Sequence, residues 1–261
     1  MNALPRPLSR PDSRFFCAVG VGVVGLVLWG FSRTYFLKLY FGSPELPLRL
    51  HIHGAVMTTW IVLFFVQICL VATNRVALHR RLGMLSALVA VLVVVVGTNA
   101  TIHAAAREVQ AHSIEAPGRV KVMGLEIVQM ALFTGLIGAG FVMRRRRDVH
   151  KRLMLLGTAC MLPSAIGRLP LVETNLQILL LFVLIVVAGV LADTLTKRSL
   201  HPQFAWCALL VVASMSLTDL GVNTHQWIEF GTRLVSADPG EPKRLDRFQA
   251  ALDLSLKSKY E

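Results

Sequence analysis

Two histidines that each lie four residues from an arginine are the clearest candidates for chemistry in this sequence. Arg49 precedes His53 by four residues, and Arg107 follows His103 by four residues. Because four residues make about one helical turn, the two imidazoles would lie at matching depths below their arginines. Imidazoles ligate haem iron, and arginines pair with carboxylates such as the haem propionates. The pattern predicts a b-type haem bound by His53 and His103, with Arg49 and Arg107 at its edge.

The same two histidines admit other interpretations. With the carboxylate of Glu126 they would form a three-ligand metal site. Alternatively, they are interfacial histidines that hydrogen-bond to carbonyl groups or to lipid. In favour of haem, Gly54 would let a planar group approach the backbone beside His53. The same helical face then continues through Met57, Trp60, Phe64 and Gln67.

A set of four further polar residues is predicted near the depth of these histidines, comprising Asn99, Glu126, Arg168 and Asp219. A carboxylic acid in the hydrocarbon layer must be paired, protonated or functional. An ion pair between Glu126 and Arg168 that only stabilises helix packing is one explanation. A functional polar cluster is the other.

A weak internal repeat places two more histidines in equivalent positions. His79-Arg80-Arg81-Leu82 recurs as His150-Lys151-Arg152-Leu153, each time between two apolar segments. The basic residues of both motifs would anchor helix ends on the cytoplasmic side, with the histidines present by chance. Alternatively, His79 and His150 hold a second haem, which would complete an electron path across the membrane.

The composition indicates the kind of protein that must position these residues. Of 261 residues, 54% are hydrophobic and 16% are charged, against roughly 25% charged in soluble domains. The mean hydropathy of +0.60 agrees, so a soluble enzyme is excluded. The net charge of +12 clusters at the ends of apolar segments, as the positive-inside rule and anionic lipids require. No basic stripe alternates with aromatic residues, so no nucleic-acid partner is expected.

Seven apolar segments are long enough to cross a membrane, which takes about 20 residues. We predict an all-α transmembrane bundle over residues 1–223, with spans at 15–34, 50–72, 82–105, 122–143, 152–169, 176–195 and 203–223. Pro163 is expected to kink the fifth span, because it lacks a backbone donor. Residues 224–261 are predicted to be a polar tail containing a linker and a short amphipathic helix.

The distribution of basic residues predicts the orientation. The N-terminus and the loops near residues 73–81, 144–151 and 196–202, with their flanks, carry 14 lysines and arginines, whereas the loops on the other side carry seven. The positive-inside rule therefore places the N-terminus in the cytoplasm.

Several motifs resemble those of a known group of proteins. Arg49-Leu-His-Ile-His-Gly54, His79-Arg-Arg-Leu-Gly83 and His150-Lys-Arg-Leu-Met154 are similar to motifs in uncharacterised bacterial multi-pass inner-membrane proteins. A looser resemblance is to cytochrome b561-type membrane proteins, which hold haems between histidines of a helix bundle. The resemblances imply a multi-pass protein of the bacterial inner membrane.

These patterns leave three hypotheses for function. The first is a non-enzymatic membrane factor that works with a partner complex, for example a respiratory complex. The second is a b-type haem protein that transfers electrons, and the third is a metal-dependent membrane enzyme. The lipid bilayer is an expected partner under all three.

Overall fold

A computed structural model describes the backbone of residues 10–236 and the side chains of residues 14–236, and every regular element in that part is a helix. The helices are α1 (Arg10–Gly30), α2 (Leu48–Ala72), α3 (Val76–Gln110), α4 (Ala116–Val142), α5 (Arg147–Ala159), α6 (Leu162–Ile166), α7 (Asn175–Lys197), α8 (Pro202–Val222) and α9 (His225–Val235), with a π-helical turn at Ser32–Phe36. The predicted tail helix lies outside the described residues.

Five of these helices, α2, α3, α4, α7 and α8, are long and apolar enough to cross a membrane. They coincide with five of the seven predicted spans, so the chain has the character of an integral, multi-pass membrane protein. The apolar part of α1, Arg14–Gly30, is shorter than the other five. The predicted fifth span is divided between α5 and α6. A total of seven spans and a cytoplasmic N-terminus therefore stay predictions.

The break between α5 and α6 has a clear cause in Pro163. Proline has no backbone N–H to donate to the carbonyl four residues earlier, and its ring clashes with that carbonyl. The carbonyl in question belongs to Ala159, and α5 ends at Ala159. The chain resumes a helical path at Leu162, where Pro163 occupies the first turn of α6 and its missing donor is tolerated.

The chain forms two compact units. Unit 1 combines Met1–Gly97 with Gln129–Ser214, and unit 2 combines Thr98–Val128 with Met215–Glu261. In unit 1, α1 packs against α2, α6 and α7. The buried aromatic pair Trp60 and Phe133 joins α2 to α4, with ring centroids 5.1 Å apart.

A tight turn joins α2 to α3 within unit 1. Asn74 adopts a left-handed conformation with φ of 60°, which asparagine tolerates better than most residues. The Arg75 N–H donates to the Leu70 carbonyl at 2.8 Å, and the Asn74 N–H donates to the Val71 carbonyl at 3.1 Å. This is the Schellman arrangement that ends a helix. It turns the chain within three residues, so the start of α3 lies close to the end of α2.

Gly30 allows α1 to contact α6, and the effect of alanine at this position on stability tests that contact. A Cβ at Gly30 would collide with the backbone carbonyl of Ala165, whereas a Cβ at Gly25 in the same helix would enter open space. We expect Gly30→Ala to reduce the free energy of unfolding in detergent by about 1–3 kcal/mol. Gly25→Ala is the matched control and should increase stability by about 0.5–1 kcal/mol. Equal effects of the two substitutions would contradict the close packing of α1 on α6.

Candidate cofactor-binding site

The two histidines of the internal repeat lie together in unit 1. His79, from the first turn of α3, and His150, from the first turn of α5, have ring centroids 6.4 Å apart and ring planes at 79°. Both side chains are partly buried. We call His79, His150, their polar neighbours Gln67 and Gly140, and Ser86, which bonds Gln67, the paired-histidine cluster.

The orientation of the His150 ring is fixed by α4. Its Nδ1 lies 2.8 Å from the carbonyl oxygen of Gly140. Glycine brings α4 close enough for this contact, since a Cβ at Gly140 would lie 2.9 Å from the sulfur of Met154 in α5. When Nδ1–H donates to the carbonyl, Nε2 is left as the ring nitrogen that can bind a metal.

The orientation of the His79 ring is fixed by Gln67 of α2. The amide orientation that satisfies both ends of Gln67 brings its nitrogen within 2.6 Å of His79 Nδ1 and lets its oxygen accept from Ser86 Oγ at 3.2 Å. A half-turn of the amide exchanges these roles, and Gln67 Nε2 then donates to Ser86 Oγ. In that state the amide oxygen could accept a hydrogen bond from His79 Nδ1–H. That half-turn sets the amide oxygen against the carbonyl oxygen of His79 and the amide nitrogen against the Gly83 N–H, so the first orientation, in which His79 Nδ1 accepts, is the favoured one.

A buried ion pair holds α5 against α7 two residues after His150. Arg152 Nε donates to Asp193 Oδ2 at 2.8 Å, and Arg152 Nη2 donates to Asp193 Oδ1 at 3.0 Å. Both side chains are buried, and Arg152 Nη1 also donates to the carbonyl oxygen of Asp148 at 2.7 Å. The first turn of α5 is thus tied to α4 through His150 and to α7 through Arg152.

Asp148 carries charge at the exposed start of α5. Burial acts to raise the pKa of its carboxyl group, but the hydrogen bond and charge of Lys151 and the charges of Lys197 and Arg152 outweigh that effect. The pKa of Asp148 is therefore lower than its ordinary value. The carboxylate stays ionised at neutral pH and pairs with Lys151 at 3.0 Å.

The two imidazole rings meet edge to face, and their centroids are 6.4 Å apart, close to the spacing of two imidazoles on one metal. With metal–nitrogen bonds of about 2 Å, two imidazoles on opposite sides of one metal have ring centroids roughly 6 Å apart. Haem iron needs only two protein ligands in this arrangement, because the porphyrin supplies the other four. Among residues 14–236, no three His, Cys, Asp or Glu side chains are grouped as metal ligands.

The predicted site residues of unit 1 lie at the start of α2 and beyond α6. Arg49 is exposed and His53 is partly buried. The space beside Gly54 holds the ring of Tyr35, which would collide with a Cβ there, and Tyr35 Oη donates to the carbonyl of His51 at 3.3 Å. The planar group beside Gly54 is therefore a tyrosine of the chain itself.

Arg168, also in unit 1, follows the end of α6. Its guanidinium lies over the Phe31 ring, 4.5 Å from the centroid, and donates to the carbonyl of Ser164.

The predicted site residues of unit 2 lie on α3, α4 and α8. Asn99, His103 and Arg107 are exposed, and Arg107 pairs with Glu108 at 3.2 Å. Asp219 is partly buried, and its carbonyl accepts from the Asn223 amide at 2.6 Å.

Glu126 has two partners within unit 2. It accepts a hydrogen bond from Thr101 Oγ1 at 2.6 Å and lies 3.9 Å from Arg119 Nη2. The acid in this span is therefore paired, as its position in an apolar helix requires. His53 and Arg168 belong to unit 1, whereas His103 and Glu126 belong to unit 2. The haem site of His53 and His103, the metal site that adds Glu126, and the Glu126–Arg168 pair all stay predictions.

The sequence reasoning missed Asp193 and the role of Gln67. Asp193 lies inside the predicted span 176–195. A carboxylate in a membrane span is energetically costly unless it is paired, so its position alone could have indicated a partner. The spacing predicted that Gln67 lies on the same helical face as His53, but its side chain contacts His79 and Ser86.

No protein-family model, curated protein or solved structure matches the chain. The resemblances to uncharacterised multi-pass membrane proteins and to cytochrome b561-type proteins therefore stay predictions from short motifs.

Proposed function

We propose that this integral membrane protein holds a b-type haem between His79 and His150 and transfers electrons through it. The observation that carries the proposal is the separation of the two imidazole rings, 6.4 Å between centroids, because it suits ligands on the two sides of one iron. This assigns the haem to the repeat histidines instead of to His53 and His103.

The hydrogen bond at Nδ1 of His150 supports this function. A histidine that ligates metal almost always donates its other ring N–H to a carbonyl, a carboxylate or water, which orients the ring and raises its basicity. The Gly140 carbonyl fits that role for His150. For His79 the proposal requires that the Gln67 amide turns over when the haem binds, so that its oxygen accepts from Nδ1–H in place of its nitrogen donating to Nδ1. The two supports come from different helices, so they would hold the rings independently.

The absorbance spectrum of the detergent-purified protein tests the proposal. We expect a Soret band that shifts on reduction with dithionite and about one haem b per chain by pyridine haemochrome assay. A protein that stays colourless after reconstitution with haemin would contradict the proposal. Near-stoichiometric zinc, copper or iron without haem would favour a metal site and the enzyme hypothesis. A colourless protein that co-purifies with a membrane complex would favour the non-enzymatic, respiratory-complex-associated factor.

We also propose that the chain lies in the bacterial inner membrane with its N-terminus in the cytoplasm. The excess of arginine at residues 73–81 and 144–151 supports this orientation. Reporter fusions at residues 74 and 145 should be active only with a cytoplasmic reporter. Activity with a periplasmic reporter at either position would reverse the orientation.

A further inference from the structure

The inner face of α9 is packed within unit 2. Ile228, Gly231, Thr232 and Val235 are buried, and a Cβ at Gly231 would lie 2.5 Å from a methyl carbon of Val120. The indole N–H of Trp227 donates to the Val120 carbonyl at 3.2 Å. The helix is therefore held against α4, and its outer faces have a defined direction.

The outer side of α9 carries two adjacent rows of opposite character. Phe230 and Leu234, four residues apart on one row, are 56% and 57% exposed. The neighbouring row consists of His225, Glu229 and Arg233, in which Arg233 donates to Glu229 and His225 lies 3.9 Å from Glu229. A large apolar pair beside a row of charges is typical of a helix that lies at the boundary between water and lipid.

The short connection between α8 and α9 keeps the start of α9 near the boundary between water and lipid. Helix α8 is one of the five candidate spans and ends at Val222, and α9 begins at His225. Three residues reach at most about 11 Å, since each extended residue covers about 3.3–3.6 Å. The start of α9 therefore cannot lie far from the level at which α8 leaves the hydrocarbon layer.

We infer that α9 is an interfacial anchor and that its exposed apolar residues contact the lipid bilayer. Phe230 and Leu234 insert into the boundary between headgroups and acyl chains, and His225, Glu229 and Arg233 face the aqueous side. The charged row pairs internally, so zwitterionic lipid is sufficient and anionic lipid is not required. This inference is independent of the haem proposal, because it uses residues of unit 2 alone.

Nitroxide labels on the full chain in phosphatidylcholine nanodiscs test the inference. The four native cysteines are replaced by alanine, and single cysteines are introduced as Phe230→Cys, Leu234→Cys and, as the matched control, Arg233→Cys. Labels at 230 and 234 should be accessible to oxygen and protected from a water-soluble nickel chelate, and the label at 233 should show the reverse. Chelate access at all three positions would overturn the inference. Protection of 230 and 234 from both reagents would overturn it in favour of a second protein surface.

A second measurement tests the same inference without replacing the native cysteines. Bromine-labelled lipids in the nanodisc should quench the added fluorescence of Phe230→Trp, measured as the difference from the unsubstituted protein. The control is Arg233→Trp, at an exposed position in the charged row of α9, which should be quenched much less. Equal quenching of the two added tryptophans would contradict insertion of the Phe230 row.

Discussion

Alanine at either His79 or His150 is expected to abolish stable haem binding. Each substitution removes one of the two imidazoles proposed to ligate the haem, whose rings lie 6.4 Å apart. Changes to the partners of metal ligands already reduce affinity by about 10–100-fold, so loss of a ligand should cost more than about 100-fold. The measurement is haem content and the Soret band after purification, compared with the protein level in the same membranes.

Matched histidine variants separate the two candidate haem sites. His53→Ala and His103→Ala should keep the full Soret band, and so should His225→Ala at the exposed start of α9. Gln67→Leu should retain haem with lower affinity, because it removes only the partner of His79 Nδ1. Full haem in both His79→Ala and His150→Ala, with loss in His53→Ala and His103→Ala, would return the site to the histidines first predicted.

Loss of one partner of the Arg152–Asp193 pair is expected to have the largest effect on stability. Arg152→Ala leaves the buried Asp193 carboxylate uncompensated, and Asp193→Ala leaves the buried Arg152 with the more distant carboxylate of Asp148. Loss of one partner of a buried pair typically costs about 3–5 kcal/mol. The bidentate geometry, with contacts of 2.8 and 3.0 Å, joins α5 to α7, whereas the other carboxylate near Arg152, that of the exposed Asp148, lies 3.7 Å away. The free energy of unfolding in mixed micelles, measured by denaturant titration, checks this expectation.

Two control proteins decide whether charge is responsible. The double variant Arg152→Met with Asp193→Leu removes both charges and keeps an apolar filling, so it should be much closer to the original protein than either single variant. Arg233→Ala disrupts the surface pair of Arg233 with Glu229 and should change stability by no more than about 1 kcal/mol. A change below about 1 kcal/mol in both Arg152→Ala and Asp193→Ala would contradict a structural role of the buried pair.

Hydropathy was sufficient to predict the membrane character and the approximate bounds of α2, α4, α7 and α8. It did not predict the length of α3, which has 35 residues. The predicted span 82–105 ended where apolar residues end, but helical hydrogen bonding continues through the polar residues on both sides. In water-exposed regions, helix propensity and local hydrogen bonds determine where a helix ends. The pattern of apolar residues carries no information about those ends.

The site was harder to predict because it depends on contacts between helices. The repeat drew attention to His79 and His150, yet nothing in the spacing shows that α3 and α5 bring the rings within 6.4 Å of each other. The depth argument for His53 assumed room for a planar ligand at Gly54, and Tyr35 of the same chain occupies that room. The pairing of Asp193 with Arg152 joins residues 41 positions apart, which a single sequence cannot reveal.

Low-temperature electron paramagnetic resonance of the oxidised protein tests the paired-histidine cluster most directly. The two rings are inclined at 79°, so we expect the strongly anisotropic low-spin ferric signal of two nearly perpendicular imidazoles. The signal should disappear in His150→Ala and persist in His53→Ala. A high-spin ferric signal, or a low-spin signal that survives in both His79→Ala and His150→Ala, would contradict ligation by these two residues.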